Sequence, residues 1–291
     1  MEITRKTKSL PLWLKILVSI LMLSVLFYQI DWPKYLSYLS DISLASITLA
    51  IAAYQISKLA LSWRLYLLAK QVSIPTSFWD CMKLTYRSSL FALILPGSMG
   101  GDGYRWLRLK RYPGINHRSI FQLLLFDRCS GFVAMLAMLL ICFSISNLFS
   151  SELSGLLRHV FTSLCLFIIY GIYWFLSRRF FPKFHSAIRK IEVSSYAVQI
   201  GQALVIMVLA TNYWDIQHNI SGLISLFLLS SFASLLPLSF GGIGSREIVF
   251  FYGAELIHLP QEAGVILGSL FYIINVASAL PGLIMKEPRP A

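Results

Sequence analysis

The sequence predicts an all-α, polytopic membrane protein, and its composition and apolar segment lengths support this fold class. Of the 291 residues, 57% are hydrophobic and 13% are charged, whereas about 25% of the residues in a soluble domain are charged. The net charge of +12 would suggest nucleic acid binding in a soluble protein, but no basic stretch stands apart from the apolar segments. We therefore expect no nucleic-acid partner and treat residues 1–291 as a single integral membrane domain.

Six segments are long and apolar enough to cross a bilayer, which requires about 20 residues. These segments are residues 11–30, 42–63, 119–143, 157–176, 196–214 and 263–285. The first follows a basic N-terminus as a signal peptide would, but no small-residue cleavage site comes after it. We therefore expect an uncleaved first span.

A Gly-rich motif interrupts the two remaining apolar segments. Residues 96–105 and residues 237–246, 141 positions later, both read P-x-S-x-G-G-x-G-x-R, and the similarity extends upstream of the motif. A helix that is broken at corresponding places in two halves is typical of transporter binding sites. The alternative is that Gly and Pro only mark two loops.

Neither interrupted segment is suited to cross the bilayer twice. Residues 104–111 carry four basic side chains, which are costly at membrane depth. Residues 246–257 would form only about 18 Å of helix, against a hydrocarbon core of about 30 Å. We therefore predict two re-entrant broken helices, residues 80–118 and 220–257, in repeat halves of roughly 42–143 and 196–285.

The distribution of Lys and Arg predicts the orientation. With both termini in the cytoplasm, 20 of the 25 basic residues lie on the cytoplasmic side of the cytoplasmic (inner) membrane, as the positive-inside rule requires. The first re-entrant pair then enters from the cytoplasm and the second from outside. Opposite topologies of this kind are expected of an inverted repeat.

The helices that restart after the Gly turns are candidates to bind an anion. Their first N–H groups lack intrahelical partners and lie at the positive end of the helix dipole. Arg105 and Arg246 lie about one turn inside, and a guanidinium can donate two hydrogen bonds to a phosphate. The alternative is structural, with Asp102 and Ser245 capping these helices and Arg246 pairing with Glu247.

Charged residues inside the predicted spans are a second group of candidates. Adjacent residues do not face each other on a helix, so Asp127 and Arg128 need partners elsewhere. We predict Arg64 or Arg105 for Asp127, and Asp102 for Arg128; a purely structural role is the alternative. Lys58 either lines a cavity or extends towards the interface, and Glu247 is the candidate proton carrier if transport is proton-coupled.

No residue pattern indicates catalysis by a cofactor or a metal. The four cysteines and five histidines show neither paired nor ligand spacing, and no nucleophile or phosphate-loop motif is present. We predict no catalytic residue, metal or cofactor. The predicted substrate-binding residues are Arg64, Ser98, Gly100, Gly101, Asp102, Arg105, Asp127, Arg128, Ser239, Gly241, Gly242, Arg246 and Glu247.

These motifs resemble those of the transmembrane region of the lysylphosphatidylglycerol synthase family, a flippase-like membrane domain. The matching segments are P-G-x-x-G-G-D-x-x-R at 96–105, Asp127-Arg128, P-x-S-x-G-G-x-G-x-R-E at 237–247 and Trp63-Arg64. The resemblance covers about residues 12–285, although Asp127 stands where the family pattern has Glu. Because no soluble aminoacyl-transferase domain follows residue 291, the resemblance implies lipid translocation and not lipid aminoacylation.

We expect a lipid translocase that moves an anionic phospholipid or a polyprenyl-phosphate-linked lipid across the cytoplasmic membrane. One alternative is an intramembrane enzyme acting on a lipid-linked sugar or phosphate, with Asp102, Asp127 or Glu247 as acid or base. Another is an accessory subunit that positions a glycosyltransferase or another lipid-modifying enzyme. A homo-oligomer also remains open.

Overall fold

A computed structural model describes residues 12–94, 99–146, 155–213, 219–235 and 243–286, and the chain in these ranges is helical without strands. The predicted all-α, polytopic helix bundle is confirmed. The helices are α1 (Leu12–Gln29), α2 (Trp32–Ser40), α3 (Leu44–Gln71), α4 (Phe78–Ile94), α5 (Met99–Leu109), α6 (His117–Ile145), α7 (Gly155–Phe180), α8 (Pro182–His185), α9 (Ile188–Ala210), α10 (Ile220–Leu235), α11 (Ser245–Ala254), α12 (Gln261–Ala279) and α13 (Pro281–Ile284).

Five helical segments within the described ranges are long and apolar enough to span a membrane: α3, α6, α7, α9 and α12 with α13. The first predicted span, residues 11–30, coincides with α1 (Leu12–Gln29). The part of α1 from Ile16 is bent by 96° from α2, and the two together make a sixth candidate span. The bend follows from local chemistry, because Asp31 caps α2 and Pro33 in its first turn cannot continue a preceding helix.

The predicted span 196–214 also has different bounds, since α9 runs from Ile188 to Ala210. Its first turns contain Arg189, Lys190 and Glu192. These residues lower the hydropathy of the segment, but Arg, Lys and Glu are good helix formers. The helix therefore begins eight residues before the apolar run.

Helices α3 and α9 cross closely and run antiparallel. Along their line of contact, residue numbers rise on α3 and fall on α9. In that order the contacts are Ser43 with Asn212, Ser57 with Gly201, Arg64 with Ser195, and Gln71 with Ser186. A Cβ atom on Gly201 would lie 2.8 Å from the backbone nitrogen of Ser57, so a glycine is needed at the crossing.

The helix order repeats in agreement with the 141-residue motif spacing. Adding 141 to the residue numbers of α3, α4, α5 and α6 brings each onto α9, α10, α11 and α12 in turn, within a few residues. Because the equivalent helices α3 and α9 are antiparallel, the two four-helix units have opposite directions, as an inverted repeat requires. The units cover residues 44–145 and 188–279, against the predicted 42–143 and 196–285.

Each predicted re-entrant pair is a helical hairpin. In the first hairpin, Phe91 of α4 stacks on Tyr104 of α5 with ring centroids 4.3 Å apart. In the second, Gly253 of α11 lies against Leu226 of α10. The breaks themselves, residues 95–98 and 236–242, fall outside the described residues.

Helix α3 contributes to two separate apolar cores. Its first half packs with α9–α12 around Phe227 and Phe250, and its second half packs with α4–α6 and α8 around Leu65 and Phe126. The turns between these halves carry buried polar residues instead: Ser57, Lys58, Ser62 and Arg64.

Candidate functional site

The polar turns of α3 are the centre of the candidate site, because α4 of the first hairpin contacts Lys58 and both α6 and α9 contact Arg64. Lys58 and Arg64 are 4% and 5% exposed, and polar groups this deep in a membrane bundle are costly unless they have partners or a function. The partners of the two cations differ: Arg64 binds a carboxylate and a serine, whereas Lys58 binds only a serine hydroxyl.

Asp127 of α6 joins the two arginines of the first repeat. Its Oδ1 accepts from Arg64 Nε at 2.7 Å and its Oδ2 accepts from Arg105 Nη1 at 3.1 Å. Gly131, one turn further along α6, makes room for the Arg64 guanidinium, since a Cβ there would lie 3.1 Å from Nη1. The predicted partnership of Asp127 is confirmed, with both candidate arginines.

Serine hydroxyls complete the bonding of these arginines. Arg64 Nη1 donates to Ser195 Oγ of α9 at 3.0 Å, and Arg105 Nε donates to Ser88 Oγ of α4 at 3.0 Å. One carboxylate therefore ties together α3, α5 and α6, and the serines add α4 and α9. These hydrogen bonds close the network, although its one carboxylate faces two guanidinium groups.

Asp102 and Arg128 form a second ion pair nearer the surface, as predicted. Arg128 Nε donates to Asp102 Oδ2, and Asp102 Oδ1 lies 3.9 Å from Arg105 Nη1. Asp102 stands in the first turn of α5, where a carboxylate is favoured by the helix dipole. The N-terminus of α5 thus already has an anion beside it.

Arg246 of α11 has no such carboxylate. Its Nη1 donates to Ser230 Oγ at 3.2 Å and Ser231 Oγ at 3.3 Å, and its guanidinium carbon lies 4.5 Å from the ring centroid of Phe271. Within the described ranges no Asp or Glu forms a salt bridge with it. Arg246 is partly buried. Its guanidinium therefore contacts serines and an aromatic ring, and part of the side chain remains exposed.

Glu247 does not pair with Arg246. It is buried, and its Oε2 accepts the backbone N–H of Gly244 at 2.8 Å. Gly244 has φ of 87°, a left-handed conformation that favours glycine. The structural alternative of an Arg246–Glu247 pair is therefore wrong, because the carboxylate turns back to cap its own helix.

Lys58 is the second buried cation for which the described residues supply no carboxylate. Its Nζ donates to Ser89 Oγ of α4 at 2.7 Å and lies 5.4 Å from the ring centroid of Tyr54. Tyr54 in turn lies 5.6 Å from the ring of Phe271, the ring beneath Arg246. A chain of contacts therefore runs from Ser89 of the first hairpin through Lys58 and Tyr54 of α3 to Phe271 and Arg246.

A single substitution between the repeats explains why Arg246 lacks a carboxylate. At the 141-residue offset, the position of Asp127 corresponds to Gly268 on α12. The two positions are also equivalent in space: a Cβ on Gly268 would lie 3.5 Å from Arg246 Cγ. The first repeat neutralises its arginine and the second leaves the equivalent cation uncompensated.

The charges around the site therefore do not balance. The carboxylates are Asp102, Asp127, Glu247 and Glu192, which lies near Arg64; the cations are Lys58, Arg64, Arg105, Arg128 and Arg246, a surplus of one positive charge. A surplus of positive charge at membrane depth is unfavourable on its own. Lys58 and Arg246 are the two cations for which the described residues supply no carboxylate.

The remaining predicted residues divide into two groups. Gly100 and Gly101 are buried in the first turn of α5, where a Cβ on Gly101 would lie 2.7 Å from the carbonyl oxygen of Ser88. Gly101 therefore packs against α4. The other four predicted residues, Ser98, Ser239, Gly241 and Gly242, lie outside the described residues.

Sequence reasoning missed Glu192 of α9. Both carboxylate oxygens are buried and accept no hydrogen bond from described residues, although the phenols of Tyr170 and Tyr173 lie beside them. The predicted span starts at residue 196, so Glu192 falls outside it. A helical continuation through Arg189 and Lys190 is the signal that would have included it.

The serines were also missed, because a hydroxyl in an apolar segment is common and usually bonds to its own helix. Ser88, Ser89, Ser195 and Ser230 each hold a buried or partly buried cation in addition. Among the described residues no group of three His, Cys, Asp or Glu side chains could hold a metal ion.

Comparison with known proteins gives one family match. The family model described as "Lysylphosphatidylglycerol synthase TM region" matches residues 12–282. No curated protein matches the chain significantly.

Proposed function

Because the chain belongs to the lysylphosphatidylglycerol synthase transmembrane-region family, an integral multi-pass membrane family linked to lipids, we propose that it is a lipid translocase. Its substrate is an anionic phospholipid or a polyprenyl-phosphate-linked lipid. The phosphate binds beside Lys58 and Arg246, and the hydrocarbon tails stay in the bilayer.

One observation supports this proposal most directly. Lys58 and Arg246 are cations in the interior of a membrane bundle, and each is bonded only to serine hydroxyls and aromatic faces in the described structure. A lipid phosphate would supply the missing negative charge, and charge-assisted hydrogen bonds to it would be stronger than those to serine. The closed Asp127 network is then a scaffold and not the binding group.

The inverted repeat provides a route for alternating access. Two units of opposite direction can exchange conformations around a central site, so that it opens first to one leaflet and then to the other. The units meet along α3 and α9, and Lys58 lies one residue from the tight contact of Ser57 with Gly201. Rocking about this crossing would move the hairpins while the cations remain central.

The orientation that we propose places the basic end in the cytoplasm. Lys70, Arg118, Arg178, Arg179 and Arg189 all lie at the same ends of α3, α6, α7 and α9. The positive-inside rule assigns such an end to the cytoplasmic side. Both chain termini then lie in the cytoplasm.

The enzyme alternative has less support from the geometry. A general acid or base must be able to reach substrate and exchange a proton. Asp127 is held by two arginines, Asp102 is paired with Arg128, and Glu247 caps α11.

The test is translocation by the purified protein in vesicles that contain tail-labelled lipids. We expect the protein to expose inner-leaflet phosphatidylglycerol or polyprenyl phosphate to an external quencher, and phosphatidylcholine much less. Lys58→Met and Arg246→Gln should each slow this movement about 10- to 100-fold, because a hydrogen bond to a charged group contributes about 1.5–3 kcal/mol.

Lys183→Gln is the matched control, since it removes an exposed cation at the basic end of the bundle and should leave the rate unchanged. Unchanged leaflet distribution of every lipid with wild-type protein, Arg246→Gln and Lys183→Gln alike would contradict the proposal. A requirement for a co-purifying glycosyltransferase would favour the accessory-subunit alternative.

A further inference from the structure

A groove of about 640 Å³ lies on the outside of the bundle between α3 and α9. Its walls are mostly apolar and include Leu59, Ala60 and Val193. Trp63 and Phe78 form an aromatic rim, with ring centroids 5.8 Å apart. The groove uses a different face of α3 from the buried Lys58, so it is separate from the central site.

Two cations line one end of this groove. Arg189 and Lys190 belong to the first turn of α9 and are exposed, and neither forms a salt bridge with any described carboxylate. The nearby Glu192 faces Tyr170 and Tyr173 instead. From Arg189 to Ala197 the groove runs about 12 Å along the helix, from a charged end to an apolar end.

The equivalent position in the other repeat does not carry these two cations. At the 141-residue offset, Arg189 and Lys190 correspond to Thr48 and Leu49 of α3, and Trp63 corresponds to Leu204 of α9. The equivalent position at the opposite end of the α3–α9 seam therefore has neither the cations nor the aromatic rim. The two ends of the seam have the same helix arrangement, but just one of them carries the cations. This indicates a role confined to one leaflet.

We propose that the groove binds an anionic phospholipid of the leaflet at the basic end of the bundle. Arg189 and Lys190 hold the headgroup phosphate, and one acyl chain lies along the seam against Leu59, Ala60 and Val193. The anionic headgroup is attracted to the two cations at one end of the groove, and the acyl chain packs against the apolar wall at the other. The aromatic rim lies where aromatic side chains usually meet lipid.

This lipid is a resident of the bundle surface and not the translocated substrate. Its binding does not require the central cations, so the inference goes beyond the proposed translocation. By covering the seam of the two repeats, it stabilises the crossing about which they would move.

The experiment uses Trp63 as the reporter. Phosphatidylcholine vesicles that contain the protein receive increasing fractions of brominated phosphatidylglycerol or brominated phosphatidylcholine, and Trp fluorescence quenching is recorded. Each variant is measured with and without Trp63→Phe, so that the difference reports the groove alone. Each basic residue near a membrane favours anionic lipid by about fivefold, so half-quenching should need about 25-fold less of the brominated anionic lipid.

Two variants separate the charged and apolar ends of the groove. Arg189→Gln with Lys190→Gln should bring the ratio between the two lipids close to one. Val193→Phe fills the apolar part and should reduce quenching by both lipids. Val193 is 70% exposed, so this change should not disturb folding.

The matched control is Arg178→Gln with Arg179→Gln. It removes the same amount of charge from the last turn of α7, at the basic end of the bundle, and should preserve the preference for the anionic lipid. Equal quenching of wild-type Trp63 by both lipids would overturn the inference. An equal loss of preference in the two charge variants would also overturn it, since the effect would then be a general surface potential. Lys58→Met should retain the preference, which separates this result from a failure of the translocation proposal.

Discussion

Asp127 compensates two buried arginines, and no other described carboxylate contacts both. Its two oxygens accept from Arg64 and Arg105, on different helices. A buried charge that loses its partner is strongly destabilising, whereas an exposed pair contributes little. The first repeat should therefore depend on this residue for stability more than for binding.

Asp127→Asn should lower the free energy of unfolding by about 3 kcal/mol or more, because it removes the carboxylate that Arg64 and Arg105 share and leaves Arg105 only the more distant Asp102. Thermal unfolding of the purified protein in detergent measures the change. Asp80→Asn is the control, since Asp80 pairs with Lys83 at a partly exposed site and should contribute less than about 1 kcal/mol. Similar losses for the two variants would contradict the assigned role.

Gly268 is the complementary residue in the second repeat. Gly268→Asp should place a carboxylate beside Arg246, as Asp127 lies beside Arg105, and should weaken anionic lipid translocation at least about tenfold because the site is neutralised. The nearest atom to a Cβ at this position is 3.4 Å away, which is an ordinary contact. Flux of labelled phosphatidylglycerol in vesicles is the measurement.

Gly268→Ala and Gly268→Asn are the controls for added volume and added polarity. Both should transport more than the Asp variant. If all three variants lost the same activity, space at position 268 and not charge at Arg246 would be the limiting factor.

At the scale of elements, the α3–α9 crossing determines how the two repeats meet. The contact of Gly201 with the Ser57 backbone brings the helices closer than any side chain allows, a common device in membrane bundles. The sequence by itself does not identify Ser57 as the partner of Gly201.

Gly201→Ala should cost about 1–3 kcal/mol, because the new methyl group would force the backbones apart. Gly171→Ala is the matched control on α7, where a Cβ would meet nothing within 4 Å; it should be neutral or slightly stabilising, since Ala is the better helix former. Thermal unfolding of both proteins gives the comparison. A tolerant Gly201 would indicate that the crossing is loose.

At the scale of the whole molecule, the two ends of the α3–α9 seam should face opposite sides of the membrane. Ser186 and Thr211 are exposed at opposite ends of α9. We expect Thr211→Cys, and not Ser186→Cys, to react with a membrane-impermeant thiol reagent in intact cells, because the basic end should be cytoplasmic. Permeabilised cells should label both variants.

The parent protein is the control for this labelling, since Cys81 and Cys142 are buried and Cys129 and Cys165 are partly buried. Labelling of Ser186→Cys alone in intact cells would reverse the proposed orientation. It would leave the antiparallel arrangement of the repeats unaffected.

The sequence by itself determined the properties that depend on local composition and on repetition. Apolar runs of sufficient length identified most of the spans, the duplicated Gly motif identified two related units, and opposite charges at membrane depth predicted the pairs of Asp127 and Arg128. These conclusions hold because hydrocarbon excludes unpaired charge and because equivalent segments fold alike.

Tertiary structure alone decided which cations lack a carboxylate partner. Arg105 and Arg246 occupy the same position in the same motif, yet they differ because α6 brings Asp127 to one and α12 brings Gly268 to the other. Lys58 and the serines that bond the cations joined the site only through helix packing. Electrostatic compensation depends on distances between helices, and a linear sequence does not contain those distances.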